Sequence, residues 1–155
     1  MSSHKTNKSE LQNEAEKVGF EFQNLLIWDK GNATPNKYYM QAAEFILMLS
    51  KRPARNIKNM GSTTILSIPN IIGNKLHPTE KPITLMKTLI ENSSNAGDVV
   101  LDCFAGSGST AIAAYITKRN FLACDIDPNY VAVAQKRLND LQLTDTPSTL
   151  QARLF

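Results

Sequence analysis

Apolar positions fall in two different rhythms along the chain. The first half carries short apolar runs in a polar background, and the second alternates such runs with helical stripes. Residues 9–18 are polar with Leu11, Ala15 and Val18 along one side, which predicts a helix ended by Gly19. The run Leu25-Leu26-Ile27-Trp28 predicts a strand over 20–28 that is buried on both faces. Residues 29–37, rich in Gly, Asn and Pro, read as a loop. Apolar residues return over 38–49, with 45–49 the strand core, and 63–68 is the one strand candidate in the stretch 51–76, which reads as a surface-lying insertion.

The second half is more regular. Pro82 opens a helix to residue 93 with Leu85, Met86, Leu89 and Ile90 as its stripe. Residues 99–103 form a compact strand, followed by a glycine-rich turn, a helix over 110–118 and a second strand over 121–126. Asp127 then caps a helix whose first residue is Pro128, with Tyr130, Val131, Ala134, Leu138 and Leu141 turned inward. Strand, turn, helix and strand in this order make a βαβ unit, so a parallel sheet with packed helices is expected.

Composition narrows the classes. No apolar run reaches the length of a membrane span, and residues 1–9 carry no secretory signal pattern. Cys103, Cys124, His4 and His77 show no metal-ligand spacing, so no metal is expected and a cytoplasmic protein with reduced thiols is the default. The net charge of +3 is small. Its distribution is uneven: residues 51–87 hold Lys51, Arg52, Arg55, Lys58, Lys75, Lys81 and Lys87 against the single acid Glu80. A basic stretch of this kind suits a phosphate backbone, and equally a solvated surface.

The richest segment is Asp102-Cys103-Phe104-Ala105-Gly106-Ser107-Gly108-Ser109-Thr110. Glycines there allow close backbone approach to a ligand, and the helix behind them offers free N–H groups and a positive dipole end. Asp125, at the end of the next strand, can accept hydrogen bonds from both hydroxyls of an adenosine ribose. Gly106-x-Gly108-x-x-Ala111 also fits the dinucleotide fingerprint of a nicotinamide-dependent dehydrogenase. An acid, Asp102, ends the strand ahead of the glycines and suits a cationic amino group, which favours S-adenosylmethionine over NAD.

These residues resemble the N6-adenine/N4-cytosine DNA methyltransferases. The segment 102–110 is similar to their cofactor motif DPFxGSGTT, with Cys103 in place of Pro and Ser109 in place of Thr. His77-Pro78-Thr79-Glu80-Lys81-Pro82 resembles the segment that precedes it and helps hold the methionine end, and Asp125 to Tyr130 resembles the ribose-binding acid with its following helix. Residues 24–30 and 44–51 resemble strands that follow the catalytic motif. The resemblance implies a Rossmann-like α/β fold, a mostly parallel sheet with helices on both faces. It implies cofactor contacts from His77, Thr79, Lys81, Asp102, Phe104, Gly106, Ser107, Gly108, Ser109, Thr110 and Asp125. The order is similar to the permuted arrangement in which catalytic motif and target recognition come first. Residues 51–76 would then sit at the target-recognition position, with Lys51, Arg52, Arg55, Lys58 and Lys75 toward double-stranded DNA.

The family's base-presenting motif, Asp/Asn/Ser-Pro-Pro-aromatic, is absent from the chain, since no two of its prolines are adjacent. The exocyclic amine of adenine or cytosine is a poor nucleophile, and that motif accepts its hydrogens and stacks the flipped base. Asp127-Pro128-Asn129-Tyr130 is only superficially similar and reads as a helix start. The strand that carries the motif is central in the family, so the expected fold is incomplete, with unpaired inner edges on the strands at 25–28 and 99–103. The organisation expected is a disordered 1–8, a partial methyltransferase domain over 9–143 with 77–143 as its cofactor part, and a tail over 144–155. A truncated or split enzyme supplied with its catalytic segment by a second chain is the leading expectation, and a non-catalytic binding module the alternative.

Overall fold

The computed structural model describes residues 8–35, 37–73, 75–144 and 153–154. They belong to two compact units, Met1–Asn56 with Met60–Ser67, and Ile57–Asn59 with Ile68–Phe155. Expectations for residues 1–7 and 145–152 lie outside the described residues.

The first unit contains α1 (Lys8–Lys17), β1 (Glu21–Thr34), β2 (Gln41–Ser50) and β3 (Ile65–Ser67). The helix stops where Gly19 takes φ 89°, with the Val18 and Gly19 amides returning to the Ala15 and Glu16 carbonyls. Strand β1 is central, antiparallel to β2 and parallel to β3. Its apolar run closes around Trp28, which is 1% exposed.

Two expectations change here. The segment 29–37 does not leave the sheet after Trp28, because β1 runs on to Thr34, where Thr34 opposes Gln41. A register shift between Asp29 and Thr34 absorbs Gly31, at φ 66°, as an irregularity in a continuing ladder. Local turn propensity loses to pairing with the long strand β2. The ladder also carries Lys30 into the interior, with its Nζ 3.7 Å from Glu44 Oε1. The edge of β1 expected to be bare is instead covered at Ile27–Asp29 by β3, a strand contributed by the basic insertion.

The second unit contains α2 (Ile83–Ser93), β4 (Val99–Asp102), α3 (Ser109–Ile116), β5 (Asn120–Ala123), α4 (Pro128–Thr144) and β6 (Arg153–Leu154). Its sheet has the order β4-β5-β6 and is parallel throughout. The core joins Ile90, the run Ala111 to Tyr115, Phe121, Ala123 and Leu138. Small residues let α3 bury almost its whole surface there. Buried Arg119 fastens the end of α2 to the α3–β5 turn, donating to the Ser94 and Thr117 carbonyls at 2.7 and 2.6 Å. On β4, Val99 and Leu101 are 62% and 67% exposed, and the edge of β4 away from β5 has no strand partner among the described residues. Among the described residues no helix is long and apolar enough to cross a membrane.

Candidate cofactor site

Strand β4 delivers Asp102 to the start of the glycine turn, where its Oδ1 accepts the Phe104 N–H at 2.9 Å. The Ala105 N–H then donates to the Cys124 carbonyl, and the Gly108 N–H to the Ala105 carbonyl. Gly106 has φ 50°, and a Cβ there would meet the His77 ring at 3.4 Å. Gly108 has φ 83°, and a Cβ there would lie 2.7 Å from the Ala134 Cβ. The second glycine therefore serves the close approach of α3 and α4, whereas its sequence position pointed to ligand contact. Gly108→Ala should destabilise the chain by about 2–4 kcal/mol, combining left-handed strain with overpacking. Denaturant unfolding measures this, and a loss under about 0.5 kcal/mol would contradict the packing role.

The segment 77–82 folds against this turn. His77 Nδ1 lies 3.1 Å from the Thr79 amide nitrogen and 2.9 Å from its Oγ1. The His77 ring meets Tyr130 of α4 edge-on, with centroids 4.2 Å apart. Glu80 is buried, and its Oε2 accepts the Leu76 N–H at 2.7 Å. Its Oε1 pairs with Arg137 Nη1 at 2.9 Å, and the same Nη1 donates to the Ser107 carbonyl at 2.7 Å. One arginine from α4 thus ties the two motifs together. Sequence reasoning missed this strut. A lone acid inside a basic stretch was the only available signal for Glu80, and Arg137 gave none.

Between the two motifs lies a cavity of ≈ 190 Å³. Every residue expected to contact the cofactor lines it except Gly108 and Asp125. Glu80, Met86 and Ala105 complete the lining. Ser109 Oγ is buried without a hydrogen-bond partner and belongs to this wall. Buried polar atoms are nearly always satisfied, so an orphan at a cavity marks a place for a ligand group.

Asp125 stands beyond the end of β5, which stops at Ala123, short of the expected residue 126, as the Cys124 carbonyl turns to the Ala105 amide. Its Oδ1 accepts the Asp127 N–H at 3.0 Å and its Oδ2 the Gly106 N–H at 2.7 Å. The Asp127 amide, then the Gly106 amide, hold this carboxyl below its ordinary value of 3.8, with His77 adding attraction against a desolvation penalty. A depressed folded value means that the carboxylate's grip on the turn is complete above the ordinary value. It is lost as pH falls through the lowered one. The Gly106 amide resonance should therefore stay constant from neutral pH down to about pH 4, and a midpoint above that would contradict the assignment. Asp127, as expected, caps α4, with Oδ1 accepting the Asn129 N–H at 2.8 Å.

The basic residues are shared between the two units, with Lys51, Arg52 and Arg55 in the first and Lys58 and Lys75 in the second. Arg52 pairs with Glu21, Lys51 lies 5.0 Å from the Phe20 ring centre, and Lys75 Nζ donates to Asn70 Oδ1 at 3.3 Å.

Residues 2–136 match a family model described as DNA methylase, of the N6/N4 type. Type II methyltransferase M2.DpnII of Streptococcus pneumoniae is 32% identical over 142 residues, covering 79% of this chain and 53% of that protein. Type II methyltransferase M1.MboII of Moraxella bovis is 49% identical over 67 residues, 43% of this chain and 26% of that protein. The chain thus spans about half, or less, of the curated relatives it matches. The crystal structure of the M1.HpyAVI–SAM complex superposes with a TM-score of 0.71 at 30% identity, over 88% of this chain and 71% of that one. PvuII DNA methyltransferase, cytosine-N4-specific, gives 0.73 at 21% identity, over 83% and 55%, a likeness of fold alone. With most of its length matched to that model, the chain belongs to the N6/N4 DNA methylase family.

Proposed function

We propose that this chain is the S-adenosylmethionine-binding part of a DNA amino-methyltransferase, adenine-N6 in preference to cytosine-N4. The observation that carries the reading is the cavity between residues 77–81 and the glycine turn, with the orphaned Ser109 Oγ in its wall. When bound, the cofactor supplies an electrophilic methyl group on a sulfonium. Asp102 then faces the ammonium of the methionine moiety, and Asp125 retains lone pairs for the ribose hydroxyls. Phe104 and Ile126, 90% and 100% exposed beside these two acids, offer apolar surface to the adenine ring.

The base-presenting motif is not among these 155 residues. A second polypeptide ending in an Asp/Asn/Ser-Pro-Pro-aromatic segment would seat its strand on the edge of β4 away from β5, which has no partner among the described residues and where Val99 and Leu101 are exposed. Double-stranded DNA is the substrate, and Lys51, Arg52, Arg55, Lys58 and Lys75 are its phosphate contacts, in the cytoplasm of a cell that uses the enzyme for site-specific modification.

Methyl transfer from labelled S-adenosylmethionine to unmethylated DNA tests this directly. The chain alone should incorporate no label, and adding a polypeptide with the missing motif should restore incorporation. Robust transfer by the chain alone would overturn the account of the missing motif. Failure with every such polypeptide, together with salt-sensitive DNA binding, would make the chain a non-catalytic binding module.

A further inference from the structure

Two thiols flank the candidate site, and neither has a part in the function proposed above. Cys103 follows Asp102 and is exposed, and Cys124 precedes Asp125 and is half-buried. The parallel register pairs Leu101 with Leu122 and Asp102 with Ala123, so its next step sets Cys103 beside Cys124. Backbone bonds keep them there. The Cys124 N–H donates to the Asp102 carbonyl and its own carbonyl accepts from Ala105, both at 2.9 Å, so Cys124 is tied to the chain on either side of Cys103. Strand neighbours lie about 4.8 Å apart, within the Cα separation that a disulfide spans.

We propose that Cys103 and Cys124 close into a reversible intramolecular disulfide, and that this bond disables the cofactor site. The second half rests on the S-adenosylmethionine reading, and the first does not. The oxidant is a low-molecular-weight disulfide, such as oxidised glutathione. The exposed Cys103 meets it first, because burial and then the neighbouring Cys103, Asp102 and Asp125 push the Cys124 thiol up. The Cys103 thiolate attacks one glutathione sulfur, the external S–S bond breaks, and one glutathione leaves as its thiolate. Cys124 loses its proton to water, attacks the Cys103 sulfur and expels the second glutathione. Two protein thiols are oxidised by two electrons, and one external disulfide is reduced to two thiols.

A disulfide fixes its two Cβ atoms about 3.8 Å apart, so closure locks Cys103 and Cys124 into one arrangement at the start of the glycine turn. Asp102 Oδ1 holds the Phe104 N–H across Cys103, so any adjustment of Cys103 is passed to the Asp102 carboxylate and Phe104 together. A preorganised site loses affinity steeply for such shifts.

The test treats the full reduced chain with oxidised glutathione, then alkylates, digests with trypsin and maps the peptides, while calorimetry follows S-adenosylmethionine in parallel. Peptides 88–118 and 120–136 should be linked, and affinity should fall roughly tenfold or more, with dithiothreitol restoring both. Cys103→Ser should remove the response to oxidant, judged within the same variant with and without treatment, and Cys124→Ser should trap the glutathione adduct on Cys103 and link no peptides. In the unsubstituted chain, unlinked peptides or a glutathione adduct that persists on Cys103 would overturn the disulfide. Linked peptides with unchanged affinity would overturn its effect on the site. No binding by the reduced chain would sink the cofactor reading and the second half with it, while the linked peptides still decide the first.

Discussion

Asp125→Ala is expected to weaken S-adenosylmethionine binding by about a hundredfold or more. Hydrogen bonds to a charged group contribute about 1.5–3 kcal/mol each, and under the proposed function two ribose hydroxyls supply two of them. The loss is compounded at Gly106, whose N–H is held by Asp125 Oδ2 at 2.7 Å and fixes the turn that the cofactor must meet. Asp125→Asn keeps the shape and one acceptor while removing the charge, so it should fall between wild type and alanine. Calorimetric titration of the three proteins measures the series. A loss below about threefold for the alanine variant would remove Asp125 from the site.

The second large effect falls on stability. Glu80→Ala should cost about 3 kcal/mol, because it leaves the Arg137 guanidinium, only 20% exposed, without its carboxylate. The Leu76 N–H loses its acceptor in the same step. For a chain of this size that corresponds to a melting temperature lower by roughly 10 °C. Glu80→Ala combined with Arg137→Leu should recover part of the loss, since an apolar pair can replace a buried ion pair at little cost. A single-variant loss under about 1 kcal/mol would mean that the strut between residues 76–80, Ser107 and α4 contributes little to holding the two motifs together.

The cofactor half was legible because its determinants are local. Pro82 and Asp127 start helices, the alanine run predicts a buried α3, and Asp102, the glycines and Asp125 follow one another within a single βαβ unit. The strand positions in the first unit were harder. Gly31, Asn32 and Pro35 carry turn signals, yet the chain stays paired through Thr34 because β2 supplies a partner that no local pattern announces. The pairing of β3 with β1 was missed for the same reason, as it joins residues far apart in sequence. At the site itself, residue types pointed to the cavity wall but not to what braces it. Arg137 reads as an ordinary polar position on an amphipathic helix, and only the fold sets it between Glu80 and Ser107. Gly108 was legible as a needed glycine, while the reason, Ala134 against its missing Cβ, was not.

Titrating the 155-residue chain with S-adenosylmethionine, and separately with NAD, tests the central claim most directly. Saturable one-to-one binding of S-adenosylmethionine is predicted, with a rise in melting temperature that follows mass action, about 2.7 kcal/mol of added stability at a hundredfold excess over Kd. NAD should neither bind nor compete. Absence of heat and of any thermal shift at millimolar S-adenosylmethionine, or its displacement by NAD, would contradict the account.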